Sequence, residues 1–350
     1  MTTATQDLTE LDEFLAERWL SGLWKLDRQE RTPDPKTKVV PHLWKWDDVY
    51  QSLLQARDRI GIEKGRTERR TIRLVNPGMR HIEMTSHTML LACQMIQPGE
   101  VAPAHRHSMA ALRFIVQGEG AYTVVNGEKL MMAEGDLILT PQGTWHDHGH
   151  EGSAPMVWLD GLDVPLIQSL QVISYEPYAE EKQATHASAQ EASHFGMTRP
   201  VRTGKQAAPA PLHYRWEDTY RSLRALAQTA GDPYDGVALD YVNPLTGGST
   251  LPTLACRAQM LRPGERTRAH RHNSTGIYHA FRGSGATVIN GETLEWDKGD
   301  SFIVPLWSWH EHLNRSAGEE AILFCMHDAP VLEAFGLHRQ ESMETSGVGM

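Results

Sequence analysis

Long apolar runs are missing from this 350-residue sequence. None approaches the roughly 18 residues that a membrane-crossing helix requires. The opening stretch MTTATQDLTELDEF also lacks the basic-then-apolar order of a secretory leader. A cytoplasmic protein with no membrane partner is expected. Blocks of positive charge are missing as well. Lys and Arg total 34 against 44 Asp and Glu, for a net charge of -10, and no run of five or six basic residues offsets this locally. A nucleic-acid partner is therefore not expected. Cysteine is scarce: Cys93, Cys256 and Cys325 stand far apart, which fits small core residues better than a disulfide framework or a thiolate metal site.

Histidine, by contrast, is plentiful, with 18 residues. Dispersed histidines are ordinarily surface or core residues, so only their spacing can mark them as ligands. The spacing repeats. Trp46, Tyr50 and Leu53 recur as Trp216, Tyr220 and Leu223, and Asn76-Pro77 recurs as Asn243-Pro244. His105-Arg106-His107 returns as His270-Arg271-His272, Asn126-Gly127 as Asn290-Gly291, and Gly135-Asp136 as Gly299-Asp300. Pro141, Trp145, His146 and His148 return in order as Pro305, Trp309, His310 and His312. One unit of about 165 residues is duplicated, consistent with the two domains that the length allows.

Each unit passes from helical to strand texture. Trp44 to Arg57 has helical apolar spacing, whereas Met89 to Ile96 and Phe114 to Val125 are rich in β-formers. The Asn-Gly pairs supply the positive φ values of a type I′ hairpin turn. The pattern predicts a mainly β fold of two tandem antiparallel barrels with helical N-terminal and inter-domain segments. The expected division is a helical and lead-in segment at 1–85, a first barrel at 86–175, a linker and second lead-in at 176–250, a second barrel at 251–335 and a tail at 336–350. The connection itself is expected from about Glu176 to Pro211, where Ala, Gln, Ser, Thr and Pro dominate.

The run from Gly99 through His105-Arg106-His107 to Gly118, followed by Gly135-Asp136, Pro141, Gly143 and His146, has the spacing of the two cupin motifs. Strand alternation puts His105 and His107 on one face, and the turn before His146 brings a neighbouring strand alongside. Three neutral imidazoles would then converge on one ion. Ala111 stands where the cupin pattern usually offers a fourth, glutamate ligand. The ion would keep its full charge and about three open positions, enough for a bidentate anion and dioxygen. Zinc suits three histidines as well as iron does, so the ligands alone leave the metal open.

The chain resembles the gentisate 1,2-dioxygenase family, which includes salicylate and 1-hydroxy-2-naphthoate dioxygenases. The resemblance is carried by PHLWKW at 41–46, ERR at 68–70, Asn76-Pro77-Gly78, HRHS at 105–108, RFIVQGEG at 113–120, VVNGE at 124–128, GDLILTP at 135–141 and WLDGLD at 158–163. It implies a bicupin, commonly a homotetramer, with iron(II) held in the N-terminal barrel by His105, His107 and His146. It also implies cleavage of the ring bond between the carboxyl- and hydroxyl-bearing carbons of a small aromatic acid, with O2 as co-substrate. By the same resemblance Arg113 faces an anionic oxygen, Arg69 holds the substrate carboxylate, His148 lies near the ring-bound oxygen, and Asp160 and Gln94 line or support the pocket. Arg70 takes the place of Arg69 if the strand register slips by one.

Gentisate or a substituted salicylate such as 5-nitrosalicylate is the expected substrate, with 1-hydroxy-2-naphthoate as an alternative. Met89-Leu90-Leu91-Ala92 and Thr71 depart from the salicylate-cleaving pattern and reshape the pocket, and the segment Leu20 to Arg31 is expected to act as a lid. An oxygen-independent isomerase or hydrolase, or a non-catalytic acid-binding bicupin, would use the same fold. In the second unit His270, His272 and His310 keep the ligand positions, but Gly236, Tyr278 and Cys325 replace Arg69, Arg113 and Asp160. A structural or vestigial ion, a second working site and no ion at all remain open there.

Overall fold

The computed structural model describes residues 8–25, 32–63, 67–186, 213–243 and 246–343. The described residues up to Lys36 form one compact unit and those from Thr37 onward another. In the first, helix Thr9–Ala16 is followed by a short 3-10 turn, Leu23–Lys25. Asp12 ties the two together by accepting from Trp24 Nε1 at 3.1 Å and pairing with Lys25 at 3.4 Å. Of the segment expected to be a lid, residues 26–31 lie outside the described residues.

The larger unit holds the two barrels, each built from a six-stranded and a five-stranded sheet with antiparallel pairing throughout the named strands. In the first barrel the six-stranded sheet runs His213–Tyr214, Leu137–Thr140, Ala111–Gln117, Met156–Leu162, Leu90–Ile96, Thr71–Arg73. The five-stranded sheet runs Tyr175–Pro177, Val101–His107, His146–His150, Ala121–Val125, Glu128–Met131. The second barrel repeats this order with the corresponding strands. The histidines of its repeated motif lie on His270–His272 and His310–Asn314. Both Asn-Gly pairs are hairpin loops with positive φ, at 47° and 83° for Asn126-Gly127 and 49° and 89° for Asn290-Gly291. Helix Trp46–Arg59 confirms the helical periodicity read there.

Strand Ala111–Gln117 is buried along nearly its whole length because both of its faces are covered. Leu112, Phe114 and Val116 belong to a core shared between the barrels, while Ile115 belongs to the first barrel's own interior. The shared core centres on Phe114, stacked on Phe324 at 4.1 Å and edge-on to Phe281 at 5.2 Å. Alternation therefore turns Ala111, Arg113 and Ile115 inward. The barrels are also tied reciprocally. Asp163 accepts from Ala110 N–H and from Thr253 Oγ1 of the other barrel, and Asp328 accepts from Thr275 N–H and from Thr88 Oγ1. All three cysteines are buried and free, as their spacing implied.

The lead-in strands cross over. His42–Trp44, from the first repeat, pairs with Ser301–Val304 of the second barrel, and His213–Tyr214 pairs with Leu137–Thr140 of the first. The Gly-Asp pair of each motif secures the exchange. Asp300 accepts from Trp46 N–H at 2.8 Å and from Lys45 Nζ at 2.7 Å, while Asp136 accepts from Trp216 N–H at 2.8 Å, with His213 Nε2 at 2.7 Å. Gly299 has φ +95°, and a Cβ there would lie 2.6 Å from the Trp46 ring, so both conformation and space require glycine.

Two other stretches differ from the sequence reading. Tyr175–Pro177 pairs with Val101–His107, and Gln183 donates to Asp147 Oδ2 and accepts from Gly127 N–H, so residues 175–186 cover the first barrel before any connection begins. The rest of the expected connection, 187–211, lies outside the described residues. Residues 340–342, expected in a tail, form a strand on His270–His272. Charged and polar residues without a period-two pattern concealed the first, and three residues are too few to show periodicity in the second.

Candidate metal centre and its pocket

The first barrel is apolar at one end and polar at the other. Ile96, Ile115, Val125, Ile138 and Trp158 pack the closed end. Continuing along the same inward faces, the chain places Gln94, Arg113, Thr140, Asp160, His146 and His148 toward the other. A register shift between Ala102 and His105, at Pro103, sets the His-Arg-His strand against His146. Pro is tolerated at such an irregularity because it has no ladder N–H to offer.

His105, His107 and His146 converge, with one ring nitrogen of each within 4.8 Å of the others. Ring centroids lie 4.4 to 5.4 Å apart. Their Nδ1 atoms meet backbone carbonyls: Pro103 O at 3.1 Å, Met109 O at 2.9 Å and Thr144 O at 3.1 Å. A carbonyl only accepts, so each Nδ1 carries the proton and each Nε2 offers its lone pair, the tautomer that binds a metal. Burial, then the nearby Arg69, pushes the His105 pKa down to about 2, and burial pushes His107 down to about 4. His146 is held well below the usual range by burial and Arg113. The imidazoles are neutral at pH 7, the state a metal needs.

Arg69 Nη2 lies 2.9 Å from His105 Nδ1. A guanidinium only donates, so this contact and the Nδ1–H to Pro103 bond compete for one nitrogen. A metal held at Nε2 would favour the second, and the Arg69 guanidinium would then be free to meet an anion. Its pKa is lowered to about 10 by burial and by Arg113, so it stays charged. Arg70 faces away: it forms a bidentate pair with Glu100, at 2.7 and 3.0 Å, and donates to Ile60 O. The register question is thereby answered, with Arg69 beside the histidines.

Arg113 is buried, donates to Thr140 Oγ1 at 3.0 Å and sits with Nε 3.3 Å from Asp160 Oδ1. That approach is an ion pair without hydrogen-bond alignment, for neither atom has a hydrogen-bond partner. Asp160 Oδ2 accepts from Trp158 Nε1 at 3.1 Å. Burial raises the Asp160 pKa while Arg113 and Arg69 oppose the rise. Gln94 Oε1 accepts from Thr71 at 3.1 Å, leaving Nε2 buried and unpartnered. His148 shares Thr123 Oγ1 through Nδ1 at 2.9 Å, and its Nε2 is likewise unpartnered. Orphaned buried atoms each cost about 1–3 kcal/mol. Such a set around one cluster of imidazoles suits a polar ligand and a metal, and the residues present therefore fit an ion.

Tyr175 is a pocket residue that the sequence reading missed. Its ring stacks on His105 at 5.0 Å and its hydroxyl donates to Glu68. It lines a cavity of about 540 Å³ together with His107, Ser108 and Gln142. The usable signal was the repeat itself: Tyr175 pairs with His107 where Gln340 pairs with His272, a divergence like that of Arg113 and Tyr278.

The Cupin domain family matches residues 92–162 and 258–327. A 5-aminosalicylate 1,2-dioxygenase of Comamonas sp. is 42% identical over 97% of this chain and 92% of its own. A 1-hydroxy-2-naphthoate 1,2-dioxygenase of Nocardioides sp. is 39% identical over 95% and 87%. The crystal structure of a salicylate 1,2-dioxygenase from Pseudaminobacter salicylatoxidans superposes with a TM-score of 0.89 at 34% identity, covering 97% of this chain and 99% of that one. With both cupin motifs, the crossed bicupin fold and full-length relatives in agreement, the chain belongs to the gentisate and salicylate 1,2-dioxygenase family of ring-cleaving oxidoreductases.

Proposed function

We propose that the first barrel binds iron(II) through Nε2 of His105, His107 and His146 and opens the C1–C2 bond of a 2-hydroxybenzoate bearing an electron-donating group at C5. 5-Aminosalicylate and gentisate are the leading substrates. The observation that carries this reading is the convergence of three neutral imidazoles beside two arginines and a single buried carboxylate. That charge balance favours an anionic ligand. Iron, when bound, supplies the one-electron chemistry that lets dioxygen react with an aromatic ring.

The side chains supply binding and orientation. Arg69 receives the substrate carboxylate, and Arg113, aimed by Asp160, compensates negative charge on oxygen. His148 Nε2 and Gln94 Nε2 are free to hydrogen-bond the ring oxygens, and His148 can hold or move a proton there. Tyr175 screens one edge of the site from water. A para amino or hydroxyl group raises the ring's electron density and eases its oxidation, and the similarity to the 5-aminosalicylate enzyme supports this choice. The family's usual homotetramer, working in the cytoplasm, completes the reading; light scattering of the purified protein tests for four copies. Among the described residues no helix is long and apolar enough to cross a membrane.

The test is oxygen uptake by anaerobically iron-loaded protein with 5-aminosalicylate, gentisate, salicylate, 5-nitrosalicylate and 1-hydroxy-2-naphthoate. One oxygen consumed per substrate, lost in His146→Ala, supports the reading and ranks the substrates. Turnover without oxygen uptake would identify an isomerase or hydrolase instead.

A further inference from the structure

The second barrel repeats the three-histidine geometry without the surroundings that receive an anion. His270, His272 and His310 bring ligand atoms within 4.8 Å of one another, with His270 and His310 at 2% and 1% exposure. His272 Nδ1 donates to Ser274 O at 2.9 Å and His310 Nδ1 to Ser308 O at 3.0 Å, so each leaves Nε2 as a lone-pair donor. His310 Nε2 is buried with no partner. Three imidazoles converging inside a barrel, two of them with Nδ1 fixed on a carbonyl, form a built coordination site and not a packing accident.

The neighbouring charges are reversed. The rung that opposes Arg113 to Asp160 in the first barrel opposes Tyr278 to Cys325 here. Burial lifts the Cys325 pKa to about 12, so it contributes a neutral thiol. Arg257 stands where the first barrel has Ala92, but Asp235 at 2.8 Å and Asp240 at 2.7 Å neutralise it. A cavity of about 350 Å³ reaches His270 and His272 and is lined by Arg257, Asp235, Asp240 and Glu333. Three carboxylates against one guanidinium repel a carboxylate ligand and attract a cation.

We propose that the second barrel holds a divalent transition-metal ion of its own, through His270, His272 and His310, with water at its open positions, and that this centre does not bind the aromatic acid. Each chain thus carries two ions, one that meets substrate and one that does not.

Cobalt(II) is the probe, since its visible spectrum reports changes in coordination. Metal-free protein is loaded with cobalt without oxygen, desalted and assayed for metal. Wild type is expected to hold two ions per chain, and His146→Ala and His310→Ala one each. Added salicylate should shift the spectrum of His310→Ala and leave that of His146→Ala unchanged. One ion in wild type and none in His146→Ala would overturn the proposal, as would a salicylate-induced shift in His146→Ala. The decisive arm needs only His146→Ala, so misfolding of His310→Ala, checked by circular dichroism, leaves the test intact. The metal count does not depend on whether the first barrel cleaves aromatic acids.

Discussion

Arg113 and Asp160 are directly opposed on neighbouring strands, with Nε 3.3 Å from Oδ1 at the edge of the three-histidine cluster. Among the described residues, this carboxylate is the one acid paired with the guanidinium. In Asp160→Asn the guanidinium loses its compensation and its aim. A fall in kcat/KM of about 100-fold, roughly 2.7 kcal/mol of transition-state stabilisation, is expected. Steady-state oxygen uptake checks this, and unchanged kinetics would remove Asp160 from the site.

Adjacent arginines are expected to separate by readout. On the proposed role of Arg69, Arg69→Gln removes a charge-assisted bond to the substrate carboxylate, worth about 1.5–3 kcal/mol, so KM should rise about 10- to 150-fold with little change in unfolding. Arg70→Gln instead strands Glu100 and should lower stability by about 3 kcal/mol while KM stays near wild type. Kinetics and urea denaturation of both variants decide the matter; a KM effect in Arg70→Gln would reverse the assignment.

Gly299→Ala would strain a backbone at φ +95° and push the Trp46 ring away from the second barrel. The expected loss is about 2–4 kcal/mol, combining left-handed strain with overpacking. Thermal denaturation measures it, and hydrogen exchange should show the loss at His42–Trp44 first.

The buried histidines set the response of the metal-free protein to acid. Burial lowers the folded pKa values of His105, His107, His270 and His310 to about 2 to 4. The unfolded chain takes up protons near pH 6.5, so below that pH it binds more protons than the folded state. Stability contributed by these groups is present above pH 6.5 and falls as pH drops toward 4, by up to about 1.4 kcal/mol per group per pH unit. Melting curves of chelator-treated protein between pH 7 and 5 should show the decline, and metal loading should blunt it.

Much of this was legible in the sequence because duplication printed it twice. The His-x-His spacing, the later histidine and the Asn-Gly turns fix the strands and bring the candidate ligands together by period two and turn chemistry. Arg69 could be favoured over Arg70 only by resemblance, since alternation needs a known register. Tyr175 was hidden because it reaches the site by long-range pairing with His107, for which no local pattern exists. The crossing of His42–Trp44 was hidden for the same reason: a strand's own residues do not say which of two equivalent edges it joins.

That crossing makes each half depend on the other. His42–Trp44 closes an edge of the second barrel and His213–Tyr214 an edge of the first, so a cut between the repeats leaves each barrel with a bare edge and each arm with nothing to pair. Separately produced halves should therefore fold poorly alone and recover structure on mixing.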